Sequence, residues 1–259
     1  MNPIKSTGKC LYCKETFLKA GIGRHLQKHL QEKFLLSKPG NSFLLKVEEN
    51  PKWETRPYFL ILWIDGETKI NELDDFLRQI WLECCGHMSS FTNSKMKKQN
   101  GSMFDFFDAG NLLEQGKVKQ YEKLMEENCG EVAMSKKAKK TLAKGLKLIY
   151  QYDFGSTTEL QVTVLNDYPI QADDRIVLLS RNEPLGLLCD LCGKKLATQI
   201  CSICCSNSDE AYFCTACSKK HAKTCPDFED YAKLPMVNSP RMGVCAYEGG
   251  SIDKERDGN

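Results

Sequence analysis

The segment from Cys189 to Cys225 constrains this chain more than any other. It holds eight of the fourteen cysteines and one of the four histidines, in the order C-x2-C-x8-C-x2-C-x9-C-x2-C-x3-H-x3-C. Thiolate and imidazole are the ligands that zinc prefers, and C-x2-C lets one turn hold one ion from two sides. A segment this short cannot build an adequate apolar core of its own. It is therefore predicted to fold around metal ions.

Eight ligands suffice for two ions, and Cys205 is then left over. In a cross-brace, alternate ligand pairs share an ion, because the interleaved loops then staple a short chain. On that pattern the first ion is held by Cys189, Cys192, Cys214 and Cys217. The second ion is held by Cys201, Cys204, His221 and Cys225.

A separate cluster near the start of the chain predicts a Cys2His2 zinc finger. Two histidines four residues apart project from one face of a helix towards the same ion. Phe17, Ile22 and Leu26 would supply the small apolar core that such a unit needs beside its metal. The gap between the second cysteine and the first histidine is eleven residues, one fewer than usual. The predicted ligands are Cys10, Cys13, His25 and His29.

The finger is poorly suited to reading DNA. In fingers that read DNA, three helix positions face the bases, and here these are Leu18, Gly21 and Arg24. Only Arg24 carries a group that hydrogen-bonds to a base edge. Gly21 and Gly23 also weaken the helix by roughly 1 kcal/mol each relative to alanine. Contact of the finger with phosphate groups or with a protein remains an alternative.

Length and composition describe an ordinary globular protein with one sizeable core and small appendages. No apolar segment opens the chain, so no signal peptide is expected. The longest apolar run, residues 58–64, is too short to span a membrane. Many cysteines without a secretory signal favour a cytoplasmic, reducing location in which thiols bind metals. A disulfide framework is the alternative.

The net charge of +2 gives no overall attraction to nucleic acid. Two segments are locally basic: residues 1–40 carry eight Lys/Arg and two Glu, hence +6, and residues 117–147 carry nine Lys and four Glu, hence +5. Such segments are usually solvated helix faces, and a nucleic-acid surface is the alternative. Its candidate residues are Arg24, Lys28, Lys136, Lys137, Lys139 and Lys140.

The middle of the chain mixes strand and helix patterns after a turn-rich break at 37–41. Strands are predicted at 43–47, 58–64, 146–154, 160–165 and 175–179. Helices are predicted at 72–85, 118–129 and 136–148. Asn71 is the expected cap of the first helix. We interpret Cys84 and Cys85 as the buried end of that helix, and His87 as a structural or solvent-facing residue.

The segment Y-Q-Y-D-F-G at 150–155 resembles the signature of the plasmid ORF-3-like family, which includes TnpR-type passenger proteins of insertion sequences. P-R-M-G-V-C-A-Y-E-G at 240–249 is similar to the family's closing G-x-C-x-Y-E-G. The resemblance implies an α+β domain with a mixed or antiparallel sheet and a link to mobile elements. Family members usually continue D-F-G with an acidic residue, tryptophan and histidine, whereas this chain continues S-T-T-E-L. Asp153 and Glu159 remain as acidic candidates, and turn-forming or surface roles are expected for both.

The segment 212–225 resembles the second half of MYND-type and B-box-like fingers, which implies a zinc cross-brace that binds protein partners. A RING ubiquitin ligase is the alternative, but its histidine lies near the middle of the ligand order, whereas His221 is penultimate. A thioredoxin-like C-x-x-C is disfavoured because no βαβ pattern surrounds these pairs.

Nothing in the sequence forms a recognisable catalytic set. The D-F-G triplet lacks the glycine-rich loop, the V-A-I-K strand and the H-R-D segment of a kinase. A serine recombinase's nucleophile with its arginine cluster is also missing. The spacing of the acidic residues that could be assembled into a metal-dependent hydrolase carries no signal; these are Asp65, Asp105, Asp108 and Asp167.

The sequence thus predicts a non-enzymatic, zinc-binding adaptor of fold class α+β with three zinc ions. A protein partner is favoured over nucleic acid, and no membrane contact is expected. The alternatives are a nucleic-acid-binding accessory factor of a mobile element and a metal-dependent hydrolase. The predicted units are a finger at 1–36, a central domain at 42–182, a cross-brace at 187–230, a closing segment at 235–250 and a disordered tail at 251–259.

Overall fold

A computed structural model describes residues 5–34, 37–50, 57–95, 106–207 and 210–252. In chain order the elements are β1 (Thr7–Lys9), β2 (Thr16–Leu18), α1 (Lys19–Lys33), β3 (Pro39–Glu49), β4 (Phe59–Asp65), α2 (Ile70–Leu77), a π-helical turn (Arg78–Leu82), β5 (Ser89–Asn93), α3 (Phe106–Glu114), α4 (Val118–Cys129), α5 (Ala138–Thr141), β6 (Lys147–Tyr152), β7 (Thr158–Ile170), β8 (Ile176–Arg181), β9 (Gln199–Cys201), α6 (Ser202–Ser206), β10 (Tyr212–Phe213), α7 (Thr215–His221), a second π-helical turn (Phe228–Ala232) and β11 (Lys233–Pro235).

The largest sheet has six antiparallel strands in the order β5-β6-β7-β3-β4-β8. Strand β4 is apolar and buried at every position but its last, and β3 is buried from Ser42 to Leu45, as expected for strands that are covered on both faces. The predicted fold class, α+β, is confirmed, and this sheet is antiparallel throughout.

Each face of the sheet is covered by a different helix. Successive side chains of a strand point to opposite faces. On one face Leu45 and Leu62 pack in a cluster with Leu73 and Trp81 of α2 and its π-helical extension. On the other face apolar side chains of β3 and β4 cluster with α1, the helix of the predicted finger; this cluster includes Ile22, Leu26, Leu30, Leu44, Phe59, Ile61 and Trp63. The finger therefore completes the core of the central domain.

The helix predicted at 136–148 is wrong. Only the four residues of α5 are helical, and the chain then turns at Gly145, whose φ of +82° ends any helical path. Ala138 and Leu142 are buried four residues apart, which produced the helical pattern. The end of the predicted helix pairs instead with β7 as part of β6, which corresponds to the strand predicted at 146–154.

The first predicted helix also differs at both ends. It begins after Lys69 rather than Asn71, and Glu72 Oε2 accepts the Lys69 backbone N–H at 2.7 Å. It ends with the π-helical turn, so Cys84 and Cys85 lie in the following loop. Cys85 is exposed, and the interpretation of this pair as a buried helix end is wrong. The break predicted at 37–41 runs partly into β3, which begins at Pro39.

The cysteine-rich module is inserted between β8 and the closing segment. The chain leaves the sheet at Asn182 and returns at Asn238, and these side chains meet: Asn182 Nδ2 donates to Asn238 Oδ1 at 2.7 Å. Asn238 Nδ2 donates to the Asn182 carbonyl at 2.8 Å. The two ends of the insertion are thus held together.

The closing segment packs back onto the central domain. Ser239 Oγ donates to the Trp81 carbonyl at 2.6 Å, and Ile252 is partly buried against the main core. Order therefore extends past the predicted start of the tail, whereas residues 253–259 lie outside the described residues. None of the helices that the structure describes is long and apolar enough to cross a membrane.

Candidate metal centres

The structure brings together the same three quartets that the ligand spacing predicts. In each quartet one donor atom per residue lies within 4.8 Å of all the others. Zinc bonds of about 2.0–2.3 Å place the corners of a tetrahedron roughly 3.3–3.8 Å apart, so these separations suit one ion per quartet. None of the fourteen cysteines, all of which the structure describes, forms a disulfide. The quartets can therefore hold metal ions.

The finger site lies between the β1–β2 hairpin and α1. Cys13 Sγ is 3.3 Å from His25 Nε2, which is 3.1 Å from His29 Nε2. Lys14 adopts a φ of +64° in the tight turn that follows Cys13. The Phe17 ring stacks on His25 with 3.9 Å between centroids. Burial lowers the pKa of His25, which favours the neutral imidazole that a metal requires.

The thiols of the first cross-brace quartet have pKa values shifted in opposite directions. Backbone N–H groups of Lys194 and Lys195 point at the Cys192 sulfur and lower its pKa to about 6. Burial and then the neighbouring thiol of Cys214 raise the pKa of Cys217 to about 12. Several thiolates in one place repel each other, and a bound divalent cation removes that repulsion.

The second cross-brace quartet joins the end of β9 and α6 to the end of α7 and the loop after it. Cys201 Sγ lies 3.9 Å from Cys225 Sγ, and Cys204 Sγ lies 3.6 Å from His221 Nε2. The Phe213 ring stacks on His221 with 4.1 Å between centroids, and burial lowers the pKa of this histidine. Cys205 stands outside both quartets, as the spacing predicts.

The structure assembles a fourth group of donors that sequence reasoning missed. Three of its members come from the loop after α2 and one from the closing segment: Cys84, Cys85, His87 and Cys245. Cys84 and Cys85 were predicted to end a helix, and Cys245 is 158 residues from His87 in the sequence. The available signal was C-C-G-H within four residues, together with the unassigned cysteine of the closing motif.

Asp153 serves the structure of a turn, as predicted, and also forms a buried ion pair. Its φ is +63°, and its Oδ1 accepts the backbone N–H groups of Gly155 and Ser156 at 3.0 and 3.2 Å. Its Oδ2 accepts Arg241 Nη2 at 2.6 Å. Hydrogen bonding to Arg241 is the main cause that lowers the pKa of Asp153 to about 2.

Glu159 accepts hydrogen bonds from two side-chain amides. Its Oε1 accepts Asn50 Nδ2, and its Oε2 accepts Gln151 Nε2 at 3.0 Å. It lines a surface depression of about 350 Å³ together with Glu49. Within the described part of the chain, the four Cys/His clusters are the groups whose geometry suits a metal ion.

The acidic residues considered for a hydrolase do not converge. Asp65 pairs with Ser42 of β3, and Asp167 pairs with the adjacent Phe43, so the two carboxylates lie on opposite faces of the sheet. Asp65 accepts two backbone N–H groups, which fixes the local turn. Asp105 lies outside the described residues, as does the side chain of Asp108.

The six basic candidates for nucleic-acid contact divide into two sets. Arg24 and Lys28 are exposed one helical turn apart on α1. Three of the lysines around α5 pair instead with carboxylates: Lys136 with Glu126, and Lys137 and Lys139 with Glu67. Lys140 is exposed beside a small depression.

Comparison with known proteins assigns the chain to no family. No family model matches the chain, and no curated protein matches it. Among solved structures it is similar to the crystal structure of protein of unknown function MM3350 from Methanosarcina mazei Go1, with 13% identity and a TM-score of 0.34. The match covers 52% of this chain and 64% of that chain, which is less than two thirds of the neighbour's length.

Proposed function

We propose that this protein is a non-enzymatic, zinc-binding adaptor whose C-terminal cross-brace docks a protein partner. Three zinc ions would occupy the finger and the two interleaved quartets. Each closed set of four Cys/His donors leaves no open coordination position, which is typical of structural rather than catalytic zinc.

The observation that carries this proposal is an exposed apolar patch on the first turn of the cross-brace. Leu188, Leu191 and Leu196 are 51%, 45% and 60% exposed. Leu188 and Leu196 face each other across an antiparallel bridge, so their side chains are neighbours on one surface. The metal ligands Cys189 and Cys192 hold this surface in place. A rigid apolar surface on a zinc turn suits the apolar side chains of a protein partner.

Charge favours a protein over a polyanion at this surface. Residues 187–230 contain five lysines and six acidic residues, for a net charge of −1. Nucleic-acid binding draws most of its free energy from cationic side chains that neutralise phosphates. A near-neutral module with an apolar patch does not provide the excess of cationic side chains that such binding needs.

Nucleic-acid binding is the second candidate, and the exposed pair Arg24 and Lys28 supports it. Against it, Gly21 and Leu18 offer nothing to a base, and three of the remaining four basic candidates are paired with carboxylates. If nucleic acid is the partner, binding must weaken steeply with added salt and must be lost in Arg24→Ala/Lys28→Ala.

The test compares affinity capture by the immobilised full chain, by Leu188→Glu/Leu196→Glu and by the control Val118→Glu. Val118 is 52% exposed on α4, outside the cross-brace, so the control adds a glutamate at a position of similar exposure. We expect the wild type and the control to capture the same proteins, and this capture should survive nuclease treatment. The double variant should lose these proteins while keeping its zinc. Equal retention by all three, or fewer than two zinc ions per wild-type chain, would contradict the proposal.

A further inference from the structure

The loop after α2 and the closing segment place four metal-binding donors around one point. Cys85 Sγ lies 3.0 Å from His87 Nε2 and 3.5 Å from Cys245 Sγ. His87 Nε2 lies 3.3 Å from Cys245 Sγ, and Cys84 Sγ lies 3.5 Å from Cys85 Sγ. These separations are close to the tetrahedron edges of roughly 3.3–3.8 Å expected around zinc. They match those of the quartets that the ligand spacing predicts.

We propose a fourth zinc site in this protein, with the ligands Cys84, Cys85, His87 and Cys245. Three thiolates and one imidazole form the same donor set as the second cross-brace quartet. Such a set closes the coordination sphere of zinc and serves structure.

The backbone is shaped to bring these donors together. Gly86 has a φ of +75°, which reverses the chain between Cys85 and His87. In the closing segment, Cys245 and Ala246 have φ values of +50° and +53°. Holding a non-glycine residue in this left-handed backbone conformation costs about 1 kcal/mol or more, and two successive residues adopt it here. A metal bond to Cys245 offsets that cost.

A buried arginine forms the outer layer of the site. Arg241 Nη2 donates to Cys84 Sγ at 3.6 Å and to Asp153 Oδ2 at 2.6 Å. One zinc ion with three thiolates carries a net charge of −1, and the guanidinium lies between this centre and the Asp153 carboxylate. Ligands oriented by such outer partners are typical of built metal sites. The two segments that resemble family motifs, 150–155 and 240–249, thus meet at this site.

Two other uses of these side chains fit the geometry less well. Sulfur separations of 3.5 Å are far beyond the roughly 2.05 Å of a disulfide. A nucleophilic Cys85–His87 pair would need one thiol beside the imidazole, whereas both Cys85 and Cys245 contact it. Three thiols that share one centre are best explained by a metal.

The site would fasten the closing segment to the central domain. The cross-brace is inserted between β8 and this segment, so a fourth ion anchors the returning chain as the Asn182–Asn238 pair anchors both ends. This consequence does not depend on which partner the cross-brace binds.

The test measures zinc per intact chain by elemental analysis and native mass spectrometry. Cys245→Ser and Cys85→Ser change exposed residues, so neither removes core packing. Cys129→Ser is the control, because Cys129 lies outside all four clusters. We expect each test variant to hold one ion fewer than wild type, and the control to hold as many as wild type. Equal zinc in wild type and both test variants would overturn the proposal.

Alkylation of the wild type provides a readout that does not rely on a variant that folds. Cys85 and Cys245 are exposed, and they should resist iodoacetamide in the zinc-loaded protein and react once a chelator is added. Rapid alkylation of both cysteines in the zinc-loaded protein would overturn the site. That result would leave the three other quartets, and the adaptor proposal, untouched.

Discussion

Arg241 donates through Nη2 to Asp153 Oδ2 at 2.6 Å, and the arginine side chain is fully buried. The same guanidinium donates through Nη1 to the Ser156 carbonyl at 2.8 Å and to Thr158 Oγ1 at 3.1 Å. One side chain of the closing segment therefore fixes the whole turn between β6 and β7. Because the turn lies more than 80 residues away in sequence, the closing segment is part of the central fold.

We expect Arg241→Ala to lower the free energy of unfolding by about 3–5 kcal/mol, because it leaves a buried carboxylate without its counter-charge. Urea denaturation measures this, and the Arg241→Ala/Asp153→Ala double variant should lose less than the sum of the single variants. Lys123→Ala is the control. It breaks an exposed ion pair with Glu127 at 3.8 Å, which should be worth less than about 0.5 kcal/mol. Additive losses would show that the buried pair is not coupled.

Two glycines of α1 offer a matched pair of substitutions. A Cβ added at Gly21 meets nothing within 4 Å, whereas one at Gly23 comes within 3.0 Å of Leu165 Cδ1. Gly21→Ala should therefore stabilise the protein by up to about 1 kcal/mol, through helix propensity alone. In Gly23→Ala the crowding against Leu165 should cancel most of that gain. Thermal unfolding of both variants tests the difference, and a larger gain at Gly23 would contradict the packing of α1 on the sheet.

The interleaving of the cross-brace predicts that its two ions are lost together. Cys214 and Cys217 of the first quartet lie at the start of α7, and His221 of the second quartet lies at its end. Loss of the first ion frees α7 and so misplaces a ligand of the second. Cys214→Ser should therefore reduce bound zinc by about two ions per chain, whereas Cys13→Ser in the finger should reduce it by about one.

Cys205→Ser controls for the cysteine content of the cross-brace and should release no zinc, because Cys205 belongs to no quartet. A loss of about one ion from Cys214→Ser would mean that the two quartets fold independently.

Loss of the finger's metal should expose the sheet. Ile22, Leu26 and Leu30 of α1 cover Trp63, which is fully buried and donates through Nε1 to Ser42 Oγ at 2.9 Å. Cys13 itself is exposed, so Cys13→Ser removes a ligand without disturbing the core. We expect a red shift of tryptophan emission and binding of an apolar dye. In a Trp63→Phe background the red shift should be lost, whereas dye binding should persist. Unchanged emission would mean that α1 stays docked without its metal.

Local spacing was enough to predict the metal quartets and the central strands. Cys189 and Cys192, like His25 and His29, are close in sequence, and their geometry follows from one turn or one helix face. The packing of α1 against the sheet could not be predicted, because its apolar residues suit the core of a small finger equally well.

The fourth cluster escaped prediction because Cys245 meets His87 only after segments 158 residues apart are brought together. The strand predicted at 146–154 is present as β6, and its pairing with β7 excludes the end of the helix predicted at 136–148. A helical pattern at 136–148 and a helix end at Cys84 were locally consistent, and tertiary pairing overrode both. Whether the chain belongs to the ORF-3-like family stays a prediction.

The loop between β4 and α2 contains a carboxylate whose ionisation should control stability in acid. Glu67 accepts from Lys137 Nζ at 2.6 Å and also pairs with Lys139, and hydrogen bonding to these lysines lowers its pKa from 4.5 to about 2. Because the pKa is lower in the folded chain, the ion pairs stabilise the fold fully above pH 4.5. Their contribution is lost as the pH falls towards about 2.

We therefore expect Glu67→Gln to unfold more easily than wild type at neutral pH, and the difference to shrink steadily in acid. Zinc ligands are protonated in acid in both proteins, so their effect cancels when the two unfolding free energies are subtracted at each pH. Added salt should also reduce the difference, because the pair is exposed to solvent. Urea denaturation of both proteins across this pH range is the measurement. A difference that grows on acidification would mean that Glu67 is stabilised in its protonated form, contrary to the contacts with Lys137 and Lys139.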